Sequence, residues 1–169
     1  RIRRAARHCQ DIVLGVLDRA REDYHADGAG ACSIGEAVDG ALELCRAGMG
    51  DRGVAINSEV PGRLPAVRAG SVDLMRVFQN LLWNARDAMP EGGLVVIGAH
   101  LVPGSVPAEV EAWVEDSGPG IPPEMMGALF KPFSTTKKAH GGTGLGLYLC
   151  REILAKNGGS IAAEAGRNG

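Results

Sequence analysis

Aromatic residues are scarce in this chain: Phe, Trp and Tyr together make up 4% of its 169 residues. A groove that stacks the bases of single-stranded nucleic acid needs several such rings, so that class of function is disfavoured from the start. A charge excess is missing as well. Lys and Arg number 18 against 20 Asp and Glu, a formal net charge of −2, which leaves no cationic surplus to meet a phosphate backbone. No apolar run comes near the roughly 20 residues needed to cross a bilayer. The opening stretch "RIRRAARHCQ" lacks the apolar centre of a signal peptide. The four cysteines, Cys9, Cys32, Cys45 and Cys150, show no CxxC spacing, so neither a zinc site nor a disulfide framework is indicated. A reducing cytoplasm is the expected compartment.

Glycine, in contrast, is abundant at 25 residues, and a hydrophobic content of 45% with 22% charge describes one globular domain plus an accessory segment. Residues 1–24 read as a helix with two adjacent seven-residue series, Ile2, Cys9, Val16 and Ala6, Val13, Ala20, the pattern of a two-stranded packing seam. Residues 25–32 read as a linker. Ser33 with Glu36 forms a capping box ahead of a helix ending near Gly48. The stretch 53–60 alternates as a strand. Ser71 is expected to cap a strong helix that stops at Pro90 and the Gly92-Gly93 turn. Residues 94–102 and 108–116 read as an antiparallel strand pair, "PPEMMGALF" as a short helix, and the run from Leu145 to just before Gly158 as a longer one. "SIAAEA" (160–165) has the alternation of a final strand. The fold class expected is α+β, a mixed and mainly antiparallel sheet backed by helices.

Three stretches carry candidate chemistry. On the helix after Ser71, Asn80, Asn84 and Asp87 stand at i, i+4 and i+7, forming one polar stripe. Asparagine is a poor helix former, so two of them a turn apart point to neutral oxygens wanted at fixed spacing. A Mg²⁺ ion bridging phosphates suits such ligands, since it retains waters and takes few protein oxygens. A solvated helix face fits the stripe alone equally well. In "VEDSGPGIPPE", Asp116 ends a strand and Gly118 and Gly120 allow close backbone approach. A partly buried carboxylate there calls for a donor such as an adenine amine, although an ordinary Asp-Ser-Gly-Pro turn explains the same residues. Finally, "FKPFSTTKKAHGGTGLGL" places Phe130 and Phe133 ahead of a Gly/Thr/Lys segment with the character of a closing lid. Lys137 and Lys138 can meet phosphate oxygens or merely be solvated. Thr143 can donate to a phosphate, and Gly144 and Gly146 open a helix N-terminus, a natural anion site.

Each stretch is weak evidence alone, but their order is specific: an Asn-bearing helix, a strand ending Asp-x-Gly-x-Gly, Phe-x-x-Phe, then Gly-x-Gly-x-Gly before a helix. This order resembles the ATP-binding catalytic domain of bacterial sensor histidine kinases, in the superfamily shared with DNA gyrase, MutL and the 90-kDa heat-shock chaperones, over about residues 33–166. "NLLWNARDAMPEGG" and "FKPFSTTK" look most like the nitrogen-regulation type. The resemblance implies a two-layer sandwich fold, ATP and Mg²⁺ as cofactors, and transfer of the γ-phosphoryl group to a histidine for relay to a response-regulator aspartate. It makes Asn84 the metal ligand, with Asn80 and Asp87 on the same helix beside it; Asn80 and Asn84 are the catalytic pair. Asp116, Gly118, Gly120 and Ile121 would form the adenine end. Phe133, Thr136 and Lys137 fall at or in the lid (131–143), and Gly142, Thr143, Gly144, Leu145, Gly146 and Leu147 form the glycine box facing the phosphates.

The superfamily's hydrolases carry glutamate where this chain has Asn80, so a kinase ranks above an ATPase. A serine kinase of the anti-sigma type and a non-catalytic nucleotide-binding module are the alternatives. None of His8, His25, His100 and His140 sits in an acceptor-histidine context, and His8 reads as a helix-surface residue. By resemblance, residues 1–24 are the end of the second helix of a dimerisation hairpin and a possible homodimer contact, and residues 33–169 are the catalytic domain without its last strand. The acceptor hairpin and a receiver domain are then the expected partners, and a membrane anchor on the full-length parent is compatible with this reading.

Overall fold

A computed structural model describes residues 30–134 and 143–164. The helix expected over 1–24, with its seam, lies outside the described residues. So does most of the expected linker, whose last two residues instead form a short strand, β1 (Ala31–Cys32), paired antiparallel with β3 (Val67–Arg68).

Helix α1 (Ile34–Gly50) starts where the sequence signals it. Ser33 is in an extended conformation and its Oγ accepts from the Glu36 amide at 3.4 Å. Its apolar residues Ile34, Val38, Ala41, Leu42, Cys45 and Met49 recur at helical spacing and all are buried. Strand β2 (Val54–Glu59) follows. Helix α2 (Ser71–Ala88) corrects one expectation: Gly70, not Ser71, is the cap residue, and no side chain caps this helix. The Gly70 carbonyl already accepts from the Leu74 amide, so the first helical turn closes one residue earlier than the serine predicted. Leu74, Val77, Phe78, Leu82 and Ala85 form its buried stripe.

Strand β4 (Gly93–Leu101) is the centre of a three-stranded sheet ordered β2-β4-β5. It runs parallel to β2, with Ile56 opposite Val95, and antiparallel to β5 (Val110–Asp116), with Ile97 opposite Val114 and Val95 opposite Asp116. The parallel pair requires a crossover, which α2 supplies. Val95, Ile97 and Ala99 face the helices and are buried, while on the other face Trp113 lies over Gly98, where any side chain on residue 98 would collide with the indole. The result is the mixed sheet backed by helices that the sequence implied.

A short helix, α3 (Pro123–Met126), precedes α4 (Gly146–Lys156). The final strand expected over 160–165 is not found: residues 160–164 join neither sheet. Their alternation survives as exposure, Ile161 and Ala163 half-buried and Ala162 and Glu164 exposed, but no described strand offers them a ladder. No helix among the described residues is long and apolar enough to cross a membrane.

Candidate functional site

One face of α2 organises the candidate site. Asn80, Asn84 and Ala88 follow each other at four-residue intervals, so they stack along the helix. At Asn80, α4 arrives: a Cβ on Gly146 would lie 3.0 Å from the Asn80 Oδ1, so any larger residue there would press on the Asn80 amide. At Ala88, the loop after β5 arrives: a Cβ on Gly118 would lie 3.3 Å from the Ala88 Cβ and 3.4 Å from its carbonyl oxygen. Asn84 sits between these two contacts, one turn from each.

The three polar residues of the stripe differ in state. Asn80 is half-buried and donates from Nδ2 to the Arg76 carbonyl at 3.1 Å, which leaves its Oδ1 turned toward Gly146. Asn84 is half-buried, and its amide has no hydrogen-bond partner among the described residues. Asp87 is exposed and bonded through Oδ1 to Arg86, at 3.1 Å from Nε and 2.7 Å from Nη2. The Arg86 guanidinium in turn lies 4.3 Å from the centroid of the Trp83 ring. Sequence reasoning missed this adjacent-residue pair, whose signal was the opposite charges in "NARDAM".

Asp116 is the last residue of β5. It is exposed rather than partly buried, because the chain turns away immediately after it. Its Oδ1 accepts from the Gly118 amide at 2.9 Å, so a backbone donor two residues on already bonds the carboxylate. Gly120 has φ of +76°, and Ile121 beyond it is 37% exposed. Ser117 was read only as part of a turn, yet its hydroxyl accepts from the Leu94 amide at 3.0 Å and lies 3.3 Å from the Met89 sulfur.

At the glycine box, Gly144 has φ of +68°, and a Cβ there would stand 2.6 Å from the Phe133 carbonyl carbon and 2.8 Å from the Ser134 amide nitrogen. Phe133 itself has φ of +62° and is half-buried. The chain on either side of residues 135–142 therefore meets backbone to backbone. Thr136, Lys137, Lys138 and Gly142 lie outside the described residues. Helix α4 begins at Gly146 with Leu145 in the cap position and no side-chain cap. Its first bond runs from the Leu149 amide to the Leu145 carbonyl at 2.9 Å, so the amides of the first turn have no partner within the helix. Thr143 is exposed, and its Oγ1 accepts from the Leu145 amide at 3.4 Å; Leu145 and Leu147 are half-buried.

This arrangement fits a bound anion with a divalent cation. A glycine cradle leaves backbone amides open at a helix start, beside an unbonded amide oxygen on α2. Among the described residues no group of three or more His, Cys, Asp or Glu is placed to hold a metal alone. A cation here would share its shell between the Asn84 oxygen and the anion's own oxygens.

Residues 69–169, more than half of the chain, match the family described as histidine kinase-, DNA gyrase B-, and HSP90-like ATPase. The chain belongs to this family. Sensor histidine kinases are among its relatives. It is 33% identical over 170 residues to the sensory histidine kinase/phosphatase NtrB of Rhizobium leguminosarum bv. phaseoli, an alignment taking in 92% of this chain and 43% of NtrB. It is 38% identical over 114 residues to the alginate biosynthesis sensor protein KinB of Pseudomonas aeruginosa, over 68% of this chain and 18% of KinB. The chain thus spans less than half the length of these curated relatives. The solved catalytic domain of histidine kinase ThkA superposes with a TM-score of 0.69 at 30% identity, covering 83% of this chain and 90% of that one. The mycobacterial sensor histidine kinase MprB gives 0.66 at 28% identity, covering 78% and 81%. The chain is thus an ATP-binding domain of the sensor-kinase type, and the resemblance read from its motif order is borne out.

Proposed function

We propose that this domain holds ATP along the Asn face of α2 and donates its γ-phosphoryl group to a histidine of a dimerisation hairpin, lying outside these residues on the same full-length protein or its dimer mate, for relay to a receiver-domain aspartate. Residues 1–24 would be the end of that hairpin's second helix, and the setting is cytoplasmic. The observation that carries the reading is Asn84: a half-buried amide without a hydrogen-bond partner among the described residues, one turn from both the Gly146 and the Gly118 contact. The full-length structure of ShkA, a neighbour with a TM-score of 0.69 and 27% identity over 82% of this chain and 29% of that one, was solved in complex with AMPPNP, which supports a nucleotide here.

ATP supplies the phosphoryl group and Mg²⁺ supplies charge neutralisation. The chain's part is positioning and electrostatic stabilisation. The Asn84 Oδ1 offers the metal one oxygen without adding negative charge. The amides at the start of α4 face the phosphates, and Gly144 and Gly146 let them come close. Asp116, at the other end of the helix face, accepts from the exocyclic amine of adenine. Asn80 holds α4 against α2 and accepts no proton at neutral pH, so water has no general base at this position. The attacking histidine brings its own nitrogen lone pair: a P–N bond forms as the bond from γ-phosphorus to the β–γ bridging oxygen breaks, and ADP leaves.

Titration of the chain with a non-hydrolysable ATP analogue tests the reading. Wild type is expected to bind in a Mg²⁺-dependent manner, and Asn84→Ala to lose that dependence with at least a tenfold weaker affinity, about the 1.4 kcal/mol of a lost charge-assisted contact. Addition of a hairpin protein bearing the acceptor histidine, with labelled ATP, should yield acid-labile label on that protein. Unaltered Mg²⁺-dependent binding by Asn84→Ala would refute the metal assignment.

A further inference from the structure

Ser117 occupies the point where three elements of the site converge. The last ladder pair of β4 and β5 is Val95 with Asp116, so Leu94 would next pair with residue 117. Half of that pair is kept: the Ser117 amide donates to the Leu94 carbonyl at 3.0 Å. The other half is made differently, because the Leu94 amide donates to the Ser117 hydroxyl, also at 3.0 Å. The side-chain oxygen takes the place of the residue's own carbonyl. That substitution lets the backbone leave the sheet directly after Asp116 without stranding the Leu94 N–H. The same hydroxyl has the Met89 sulfur at 3.3 Å, and Met89 is a buried residue (3% exposed) that closes the end of α2. The space is tight, since a Cβ on Gly93 would lie 2.7 Å from the Ser117 Oγ. One hydroxyl therefore joins the start of β4, the exit of β5 and the end of α2.

The consequence falls on Asp116. Its Oδ1 is bonded to the Gly118 amide at 2.9 Å, so the direction of the carboxylate is set by where residues 117 and 118 turn. We infer that Ser117 is a positioning residue that aims the Asp116 carboxylate at the nucleobase and thereby governs the preference for adenine over guanine. The inference rests on the proposed reading of Asp116 as the acceptor for a base amine. Adenine offers an amine where guanine offers a carbonyl, so an aimed carboxylate separates them and a loosely held one separates them poorly.

The test compares non-hydrolysable ATP and GTP analogues on wild type, Asp116→Asn, Ser117→Ala, Ser117→Cys and Ser117→Thr, each with a thermal midpoint. Wild type should favour the adenine analogue and Asp116→Asn should lose that preference. Ser117→Ala should lower the adenine-to-guanine affinity ratio about three- to tenfold, the range expected for one hydrogen bond. Ser117→Cys should fall between, and remains informative if the alanine variant folds poorly. Ser117→Thr, which keeps the hydroxyl, should hold the ratio within about twofold. Amide exchange at Leu94 should accelerate in Ser117→Ala. A ratio unmoved in Ser117→Ala and Ser117→Cys while Asp116→Asn abolishes it would overturn the role of Ser117 alone, as would a lower midpoint with equal weakening of both analogues. A wild type without adenine preference would overturn the reading of Asp116 and this inference together.

Discussion

Single residues of the site differ in how far their surroundings determine them. Gly144 is the most constrained. Its left-handed φ of +68° and the 2.6 Å approach of Phe133 to any Cβ act together, so Gly144→Ala meets both a conformational cost and a backbone collision. The variant is expected to lose at least about 1–2 kcal/mol of stability from the conformation alone and to bind nucleotide more weakly, since the chain ends flanking 135–142 can no longer meet. Chemical denaturation and analogue titration measure the two effects, and a fully stable variant would show that the turn relaxes freely. Asparagine spacing and glycine clustering made Asn80, Asn84, Gly144 and Gly146 legible in the sequence. The bond from the Gly118 amide to the Asp116 carboxylate was not legible as a constraint on function, because an Asx turn and a ligand-reading carboxylate share the same letters. Ser117 was hidden for a related reason: a hydroxyl that replaces a main-chain acceptor depends on strand register, which one strand alone does not reveal.

Between elements, the contact of α2 with α4 fixes the distance from the Asn face to the glycine-opened helix start. Gly146 and Cys150 lie one turn apart on α4 and touch Asn80 and Val77 of α2. Cys150 is completely buried, with Sγ 3.8 Å from the Val77 carbonyl oxygen, and burial pushes its thiol from 9.0 to about 12. The folded-state value is raised, so this contribution to stability is complete below pH 9 and is lost as pH climbs toward 12, because the unfolded chain ionises first. Denaturation midpoints of wild type and Cys150→Ala should therefore draw together as pH rises from 9 to about 11, and a constant gap would argue against the buried, protonated thiol. Helix α1 and the β4–β5 pair were readable from periodicity and capping. The start of α2 was not: a serine signal sat beside a glycine whose carbonyl closed the turn first. The alternating "SIAAEA" failed as a strand prediction because alternation records two faces and says nothing of a partner edge.

Across the molecule, order is expected to grade from the centre of the main sheet outward. β4 is paired on both sides and its inner residues Val95, Ile97 and Ala99 are at most 1% exposed, whereas β1 and β3 pair over two residues each. Hydrogen exchange should find the β4 amides slowest and those of Cys32 and Val67 among the fastest. Equal protection in both sheets would show that the two-residue pair is locked by contacts beyond its own ladder. The α+β class came from the mix of helices and antiparallel strands, and family membership from motif order, which survives uncertainty in any one element. Helix α2 also acts as a ruler. At 1.5 Å per residue its successive turns put the glycine-box contact and the aspartate-loop contact about 12 Å apart, with Asn84 midway. Loops elsewhere can lengthen freely, but one residue inserted between Asn80 and Ala88 would swing one landmark about 100° from the other, leaving two half-grips on opposite sides of a rod.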